Sequence, residues 1–189
     1  MRIIGGAHRG LALASVGKGD AAAHLRPTTD RVRESLFNLL AGGGHGPNPV
    51  PGAQVLDLFA GTGALGLEAL SRGAARVSFV EKGDAAARLI RENIAKCRAQ
   101  EITRLLRRDA RRLGENSGAA HDLVFLDPPY GKALGEAALA AALDGGWIAP
   151  GALVVWEESV PPQLPAGLIP SGQRRYGDTW ITLARVAEA

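Results

Sequence analysis

Val55-Leu-Asp-Leu-Phe-Ala-Gly-Thr-Gly-Ala-Leu-Gly66 reads as one strand, one tight turn and the start of one helix. Val55 to Phe59 is a mostly apolar run of strand length. Gly61-Thr-Gly-Ala-Leu-Gly66 matches the G-x-G-x-x-G spacing, in which glycines turn the backbone sharply and let it approach a ligand. A helix over Gly63–Arg72 follows. The alternation then continues: strand Val77–Glu81 and helix Asp84–Arg98, a weaker strand Ile102–Leu106, strand Asp122–Leu126 and helix Leu134–Leu143, and strand Ala152–Glu157. Strands separated by helices imply a parallel sheet. The Pro-rich run 161–170 reads as irregular. Arg174–Tyr176 and Trp180–Arg185 flank Gly177-Asp178, a hairpin turn. The expected fold is α/β: a doubly wound, mostly parallel sheet with an antiparallel edge hairpin.

The glycine loop suits NAD and S-adenosylmethionine alike. Glu81 ends the second strand about 20 residues after Gly61, the spacing expected for an acid that grips ribose hydroxyls. Asp57 favours S-adenosylmethionine: its charge at the strand end suits a sulfonium and an ammonium, whereas in a dinucleotide site it would face pyrophosphate. Asp109, at the end of the third strand, reads either as an acceptor for an adenine amino group or as a surface acid among arginines.

Asp122-Leu-Val-Phe-Leu-Asp-Pro-Pro-Tyr-Gly131 carries the second constellation. Asp127 falls where a buried strand ends, and the mouth of an open α/β sheet lies just outside its strand C-termini. Pro128 keeps Asp127 extended. Pro128 and Pro129 lack N–H groups, which leaves carbonyls available as acceptors. Tyr130 adds a flat face with a polar tip. A carboxylate, carbonyls and a ring at one rigid corner suit an exocyclic amino group on a planar base, and offer nothing for hydride transfer.

The chain has 189 residues and a formal net charge of +3, enough length for one α/β domain with a full core. No apolar run approaches the roughly 20 residues that span a bilayer. Met1-Arg-Ile-Ile-Gly-Gly6 lacks the apolar region of a signal peptide. Cys97 is the only cysteine, and the four histidines are scattered, so no disulfide framework or metal spacing is expected. A cytoplasmic, metal-free protein is the expectation. Residues 1–12 read as two short strands around a glycine turn, and 15–24 as a mobile loop. Thr29 or Asp30 caps a helix whose apolar face is Val32, Leu36, Phe37, Leu39 and Leu40. Gly42–Gly52 reads as a linker, which divides the chain into an N-terminal extension, 1–45, and a main domain, 46–189. Two basic regions, one in 1–45 and one in 88–112, fit a phosphate-backbone partner or a solvated arginine-rich surface.

Asp57-Leu-Phe-Ala-Gly-Thr-Gly63 together with Asp127-Pro-Pro-Tyr130 resembles the motif pair of amino-methylating, S-adenosylmethionine-dependent methyltransferases. Met1-Arg-Ile-Ile-Gly-Gly6, Leu25-Arg-Pro-Thr-Thr-Asp-Arg-Val-Arg-Glu34, Gly63-Ala-Leu-Gly-Leu-Glu-Ala-Leu-Ser-Arg-Gly73 and Tyr176-Gly-Asp-Thr179 narrow the resemblance to the bacterial small-subunit (16S) ribosomal RNA guanine-N2 methyltransferase family. The similarity covers essentially the whole chain. Departures are a longer loop around Ala21 and the glycine-rich linker near Gly43. The resemblance implies a Rossmann-like class I methyltransferase fold with a seven-stranded sheet. It implies methyl transfer from S-adenosyl-L-methionine to the exocyclic N2 of a guanine in small-subunit RNA, by a monomer. Asp127, Pro128, Pro129 and Tyr130 would be catalytic. Asp57, Phe59, Gly61, Thr62, Gly63, Glu81 and Asp109 would hold the cofactor. Arg26, Thr28, Thr29 and Arg31 would meet the RNA. The Asp-Pro-Pro-Tyr motif is shared with adenine-N6 methyltransferases and does not choose the base. The remaining alternatives are a nicotinamide oxidoreductase and a non-catalytic RNA-binding module.

Overall fold

A computed structural model describes residues 1–15, 29–44, 46–130 and 132–188. Five strands run parallel: β1 (Gln54–Leu58), β2 (Arg76–Val80), β3 (Thr103–Leu106), β4 (His121–Leu126) and β5 (Ile148–Glu158). They join β6 (Leu168–Tyr176) and β7 (Thr179–Val186) in one seven-stranded sheet of order β3-β2-β1-β4-β5-β7-β6. β7 is antiparallel to both β5 and β6. The order reverses between β1 and β4, and such a switch point opens a crevice at the strand C-termini.

Side chains alternate across this sheet with period two. Val55, Phe79, Phe125, Val155 and Leu183 enter one core, under α1 (Asp30–Ala41), α2 (Ala64–Ser71) and α3 (Asp84–Lys96). Leu56, Leu58, Val80, Val124, Leu126 and Trp156 enter the other, under α4 (Leu134–Asp144) and a short 3-10 turn at Ala110–Arg112. Helices on both faces explain why the strand interiors read as apolar runs.

Three expectations about local structure are corrected. Residues 1–12 form no pair of strands: a single antiparallel bridge, Arg2 with Ala12, encloses a 3-10 turn at Gly6–His8. β6 begins at Leu168, inside the run expected to be irregular. Pro170 lacks an N–H, but it sits on the edge strand of the sheet beside a register shift, the settings in which a strand tolerates proline. Arg33, one of the cations of the basic region in 1–45 that fitted a phosphate-backbone partner or a solvated surface, is fully buried. Its Nη2 donates to Asp30 Oδ1 at 2.9 Å, and its Nε lies 3.7 Å from Glu68 Oε2.

Of the two expected caps of α1, Thr29 and Asp30, it is Thr29 that caps: its Oγ1 accepts from the Val32 N–H, and Asp30 is the first helical residue. Glu68 fastens the N-terminal segment to α2. It accepts from the backbone N–H groups of Ile4 and Gly5 and from Arg72 Nε at 2.7–2.9 Å. Ile3, Leu36, Phe37 and Leu40 share the core of α2 and α3. Residues of the expected extension thus pack on the sheet domain through both apolar and ionic contacts.

Candidate active site

The glycine loop gets its shape from backbone that only special residues tolerate. Gly61 and Gly63 have φ of 57° and 78°, in the left-handed region. Phe59 sits there too, at φ 59°, a strained setting for a bulky residue and one that clusters at functional sites. Gly66 serves packing: a Cβ on it would lie 2.4 Å from Phe79 Cε1, so its absence lets α2 lie directly on β2.

Two carboxylates hold this loop. Asp57 is 1% exposed and accepts from the Gly66 N–H through Oδ2 at 3.0 Å. Burial pushes its carboxyl up to about 7; the Gly66 N–H opposes the rise and the nearby Glu81 charge adds to it. Glu81 follows β2 and clasps the loop: Oε2 accepts from Gly61 N–H at 3.0 Å and Oε1 from Gly83 N–H at 2.7 Å. Thr62 is buried, and its carbonyl accepts from Asn93 Nδ2 at 3.0 Å. Asn93 also exchanges hydrogen bonds with the backbone of Ala14, which ties α3, the glycine loop and the N-terminal segment together. Nothing in the sequence pattern marked Asn93, because a polar residue inside a helix shows its partners only in three dimensions.

The second constellation stands beside the first. The Asp127 N–H donates to the Leu58 carbonyl at 3.4 Å, which sets the end of β4 against the end of β1. Pro128 is buried and Pro129 exposed. Tyr130 Oη donates to Glu157 Oε1 at 2.8 Å and is 3.5 Å from Thr179 Oγ1. Glu157, an acid ending an apolar strand, was not singled out in the sequence. Thr179 entered only as part of a hairpin motif.

One cleft of about 490 Å³ joins both constellations. Asp57, Phe59, Gly61, Thr62 and Glu81 line one side, and Asp127, Pro128, Pro129 and Tyr130 the other. Gly63 lies next to the cleft in the same turn without lining it. Lys82, Arg108, Arg111 and Lys132 are also on its wall. Asp109 is at the rim. Its carboxylate receives Arg111 Nε and Nη2 at 3.0 and 2.6 Å, with Lys82 Nζ at 3.5 Å. The Arg111 hydrogen bond, above all, holds that carboxyl well below the usual range. Asp109 also caps the 3-10 turn at Ala110, and Ala110 itself lines the cleft. Thr29 and Arg31 are exposed and stand outside the cleft wall; Arg26 and Thr28 lie outside the described residues, as does most of the expected mobile loop. Among the described residues, no three His, Cys, Asp or Glu side chains group as a metal site. Among the described residues, no helix is long and apolar enough to cross a membrane either.

A family model described as conserved hypothetical protein 95 matches residues 1–185. The chain belongs to this family. It is 41% identical over 165 residues to ribosomal RNA small subunit methyltransferase D of Escherichia coli, which covers 87% of this chain and 78% of that protein. The same-named protein of Haemophilus influenzae is 36% identical over 160 residues, covering 83% and 78%. A solved Escherichia coli structure titled "Putative methyltransferase yhhF" superposes with a TM-score of 0.83 at 38% identity, over 100% of this chain and 99% of that one. The family's fold is the class I methyltransferase fold, and the sheet order and antiparallel β7 described above are its architecture here.

Proposed function

We propose that this family member transfers a methyl group from S-adenosyl-L-methionine to the exocyclic N2 of a guanine in small-subunit ribosomal RNA. The observation that carries the reading is the single cleft with a cation-friendly glycine loop on one side and an amine-holding corner on the other. The volume falls in the range of small-molecule sites, about 300–1,000 Å³. The cofactor fits the residues present. Left-handed Gly61 brings bare backbone to the cleft, and Asp57, buried among apolar strands, is costly to ionise without a cationic partner. When bound, S-adenosyl-L-methionine supplies an electrophilic methyl group.

The chain's own residues supply orientation and charge. Asp57 takes the ammonium or sulfonium charge. Glu81 keeps the loop closed through Gly61 and faces the ribose with its remaining acceptor capacity. Asp109 acts through the turn it caps, setting Ala110 and Arg111 at the rim. At the corner, Asp127 and the Pro128 carbonyl accept the two hydrogens of the amino group, whose lone pair is otherwise delocalised into the base. That turns the lone pair to the methyl group and stabilises the positive charge developing on nitrogen. Asp127 or water then takes the proton. Tyr130 stacks on the base. A base paired in a duplex cannot reach such a corner, so the target is unpaired or flipped out.

The guanine assignment rests on resemblance to the relatives, since the corner alone also suits adenine N6. The substrate in this reading is an assembled or nearly assembled subunit. Phe37, Phe79, Phe125, Trp147 and Trp156 are all buried, so few rings remain to read single-stranded RNA by stacking. The wall cations Lys82, Arg108, Arg111 and Lys132 grip phosphates, which positions RNA without reading sequence. The test is radiolabelled methyl transfer by the purified chain to unmodified small subunits and to protein-free RNA, followed by nucleoside analysis. N2-methylguanosine formed faster on subunits, and lost with Asp127→Ala at intact cofactor affinity, is the expected result. N6-methyladenosine, or transfer to no RNA, overturns the assignment.

A further inference from the structure

Three segments distant in sequence meet at the hydroxyl of Tyr130. The turn after β4 supplies the tyrosine, the end of β5 supplies Glu157, and the start of β7 supplies Thr179. Glu157 is 5% exposed and stands opposite Ile181 in the β5–β7 ladder. Thr179 is fixed by its pairing with Tyr176 across the β6–β7 turn. Both partners are therefore carried on paired strands, while Tyr130 sits in a turn. Burial first, with the Glu157 and Asp127 charges, holds the phenol above the usual tyrosine range, and the Thr179 hydrogen bond opposes this. The hydroxyl stays a neutral donor.

We propose that Glu157 and Thr179 are positioning residues: they tether the Tyr130 hydroxyl so that its ring faces the acceptor base at one angle. The inference rests on the methyl-transfer reading above. A ring fixed by backbone at one end and by a hydrogen bond at the other has no swing left to lose when the base arrives. That pre-organisation acts on the rate of the bound complex more than on cofactor affinity. Phenylalanine at position 130 would bring the same ring without the tether. Glutamine at 157 would keep an acceptor of the same shape without the charge.

The experiment uses the full chain with Tyr130→Phe, Glu157→Ala, Glu157→Gln, Thr179→Val and the Tyr130→Phe/Glu157→Ala pair. Single-turnover methyl transfer, calorimetric cofactor affinity and melting temperature are measured for each. Tyr130→Phe and Glu157→Ala should each slow transfer about tenfold, with cofactor affinity within about threefold, as orientation effects act. Thr179→Val should slow it less. The pair should be no slower than the worse single variant, because both remove one tether. Glu157→Gln should restore most of the rate. Losses that add in the pair, or a wild-type rate in Glu157→Ala, overturn the proposal. A second readout needs no RNA. In a Tyr176→Phe background Tyr130 is the only tyrosine, and its nitration by tetranitromethane is followed by mass spectrometry. Glu157→Ala should nitrate several-fold faster than the parent; equal rates overturn the tether. Faster nitration with no RNA methylated by the parent would leave the tether standing and sink the functional reading alone.

Discussion

Asp57→Asn should make the ligand-free protein more stable and at the same time disable the cleft. The carboxyl is 1% exposed, and burial lifts it from 3.8 to about 7. Between those values the folded chain holds a proton that the unfolded chain has already released. Stability therefore falls as pH rises through that window and is flat above it. At about 1.4 kcal/mol per pH unit, the span from 3.8 to about 7 amounts to about 4 kcal/mol. Asparagine keeps the shape and an acceptor for the Gly66 N–H, and it never ionises. Below pH 4 the two proteins should be close in stability. At pH 8 the variant should be ahead by up to about 4 kcal/mol, by the same conversion. Urea unfolding of both proteins from pH 4 to 9 measures this directly. A difference that stays flat across the range, or a variant less stable at pH 8, refutes the account of Asp57. S-adenosyl-L-methionine should close most of that gap. At 100 times its dissociation constant a ligand adds about 2.7 kcal/mol to the native state, and the variant should gain little of it. Near pH 6 binding to the wild type should also release a proton, seen as a buffer-dependent heat.

Glu81→Ala should lower cofactor affinity by one to two decades, since a hydrogen bond to a charged group is worth about 1.5–3 kcal/mol; faster amide exchange at Gly61 and Gly83 should accompany it, and unchanged affinity with unchanged exchange would dismiss both roles. Gly66→Ala places a methyl 2.4 Å from Phe79 Cε1. Overpacking of this kind costs about 1–3 kcal/mol, so the melting temperature should drop by several degrees, and no drop would mean α2 shifts freely on β2. Glu68→Ala leaves buried Arg33 and the Ile4 and Gly5 N–H groups short of an acceptor. Breaking a buried ion pair costs about 3–5 kcal/mol, and denaturant unfolding should show it; a loss below 1 kcal/mol would make Arg33 self-sufficient with Asp30.

Local pattern determined much of this protein. Apolar runs of strand length, helices between them, the left-handed glycines after β1 and the Asp-Pro-Pro-Tyr corner after β4 are each written within about ten consecutive residues, where side-chain period and turn chemistry act. The Thr29 cap was legible for the same reason. Tertiary structure decided what depends on a distant partner. Asn93 meets Ala14 across 79 residues, Glu68 meets Ile4 across 64, and Tyr130 meets Glu157 across 27. Helical period shows that a polar residue falls on some face, never which backbone group waits opposite. Arg33 looked like one more surface cation until α1 docked on α2 and put Glu68 beside it. Phe59 read as the last residue of a strand and, by resemblance, as part of the cofactor site; β1 stops at Leu58, and it is the left-handed turn that sets Phe59 on the cleft wall. Asp57 kept its place in the sequence motif, yet only the packed sheet around it withholds water and makes its charge conditional on a cation.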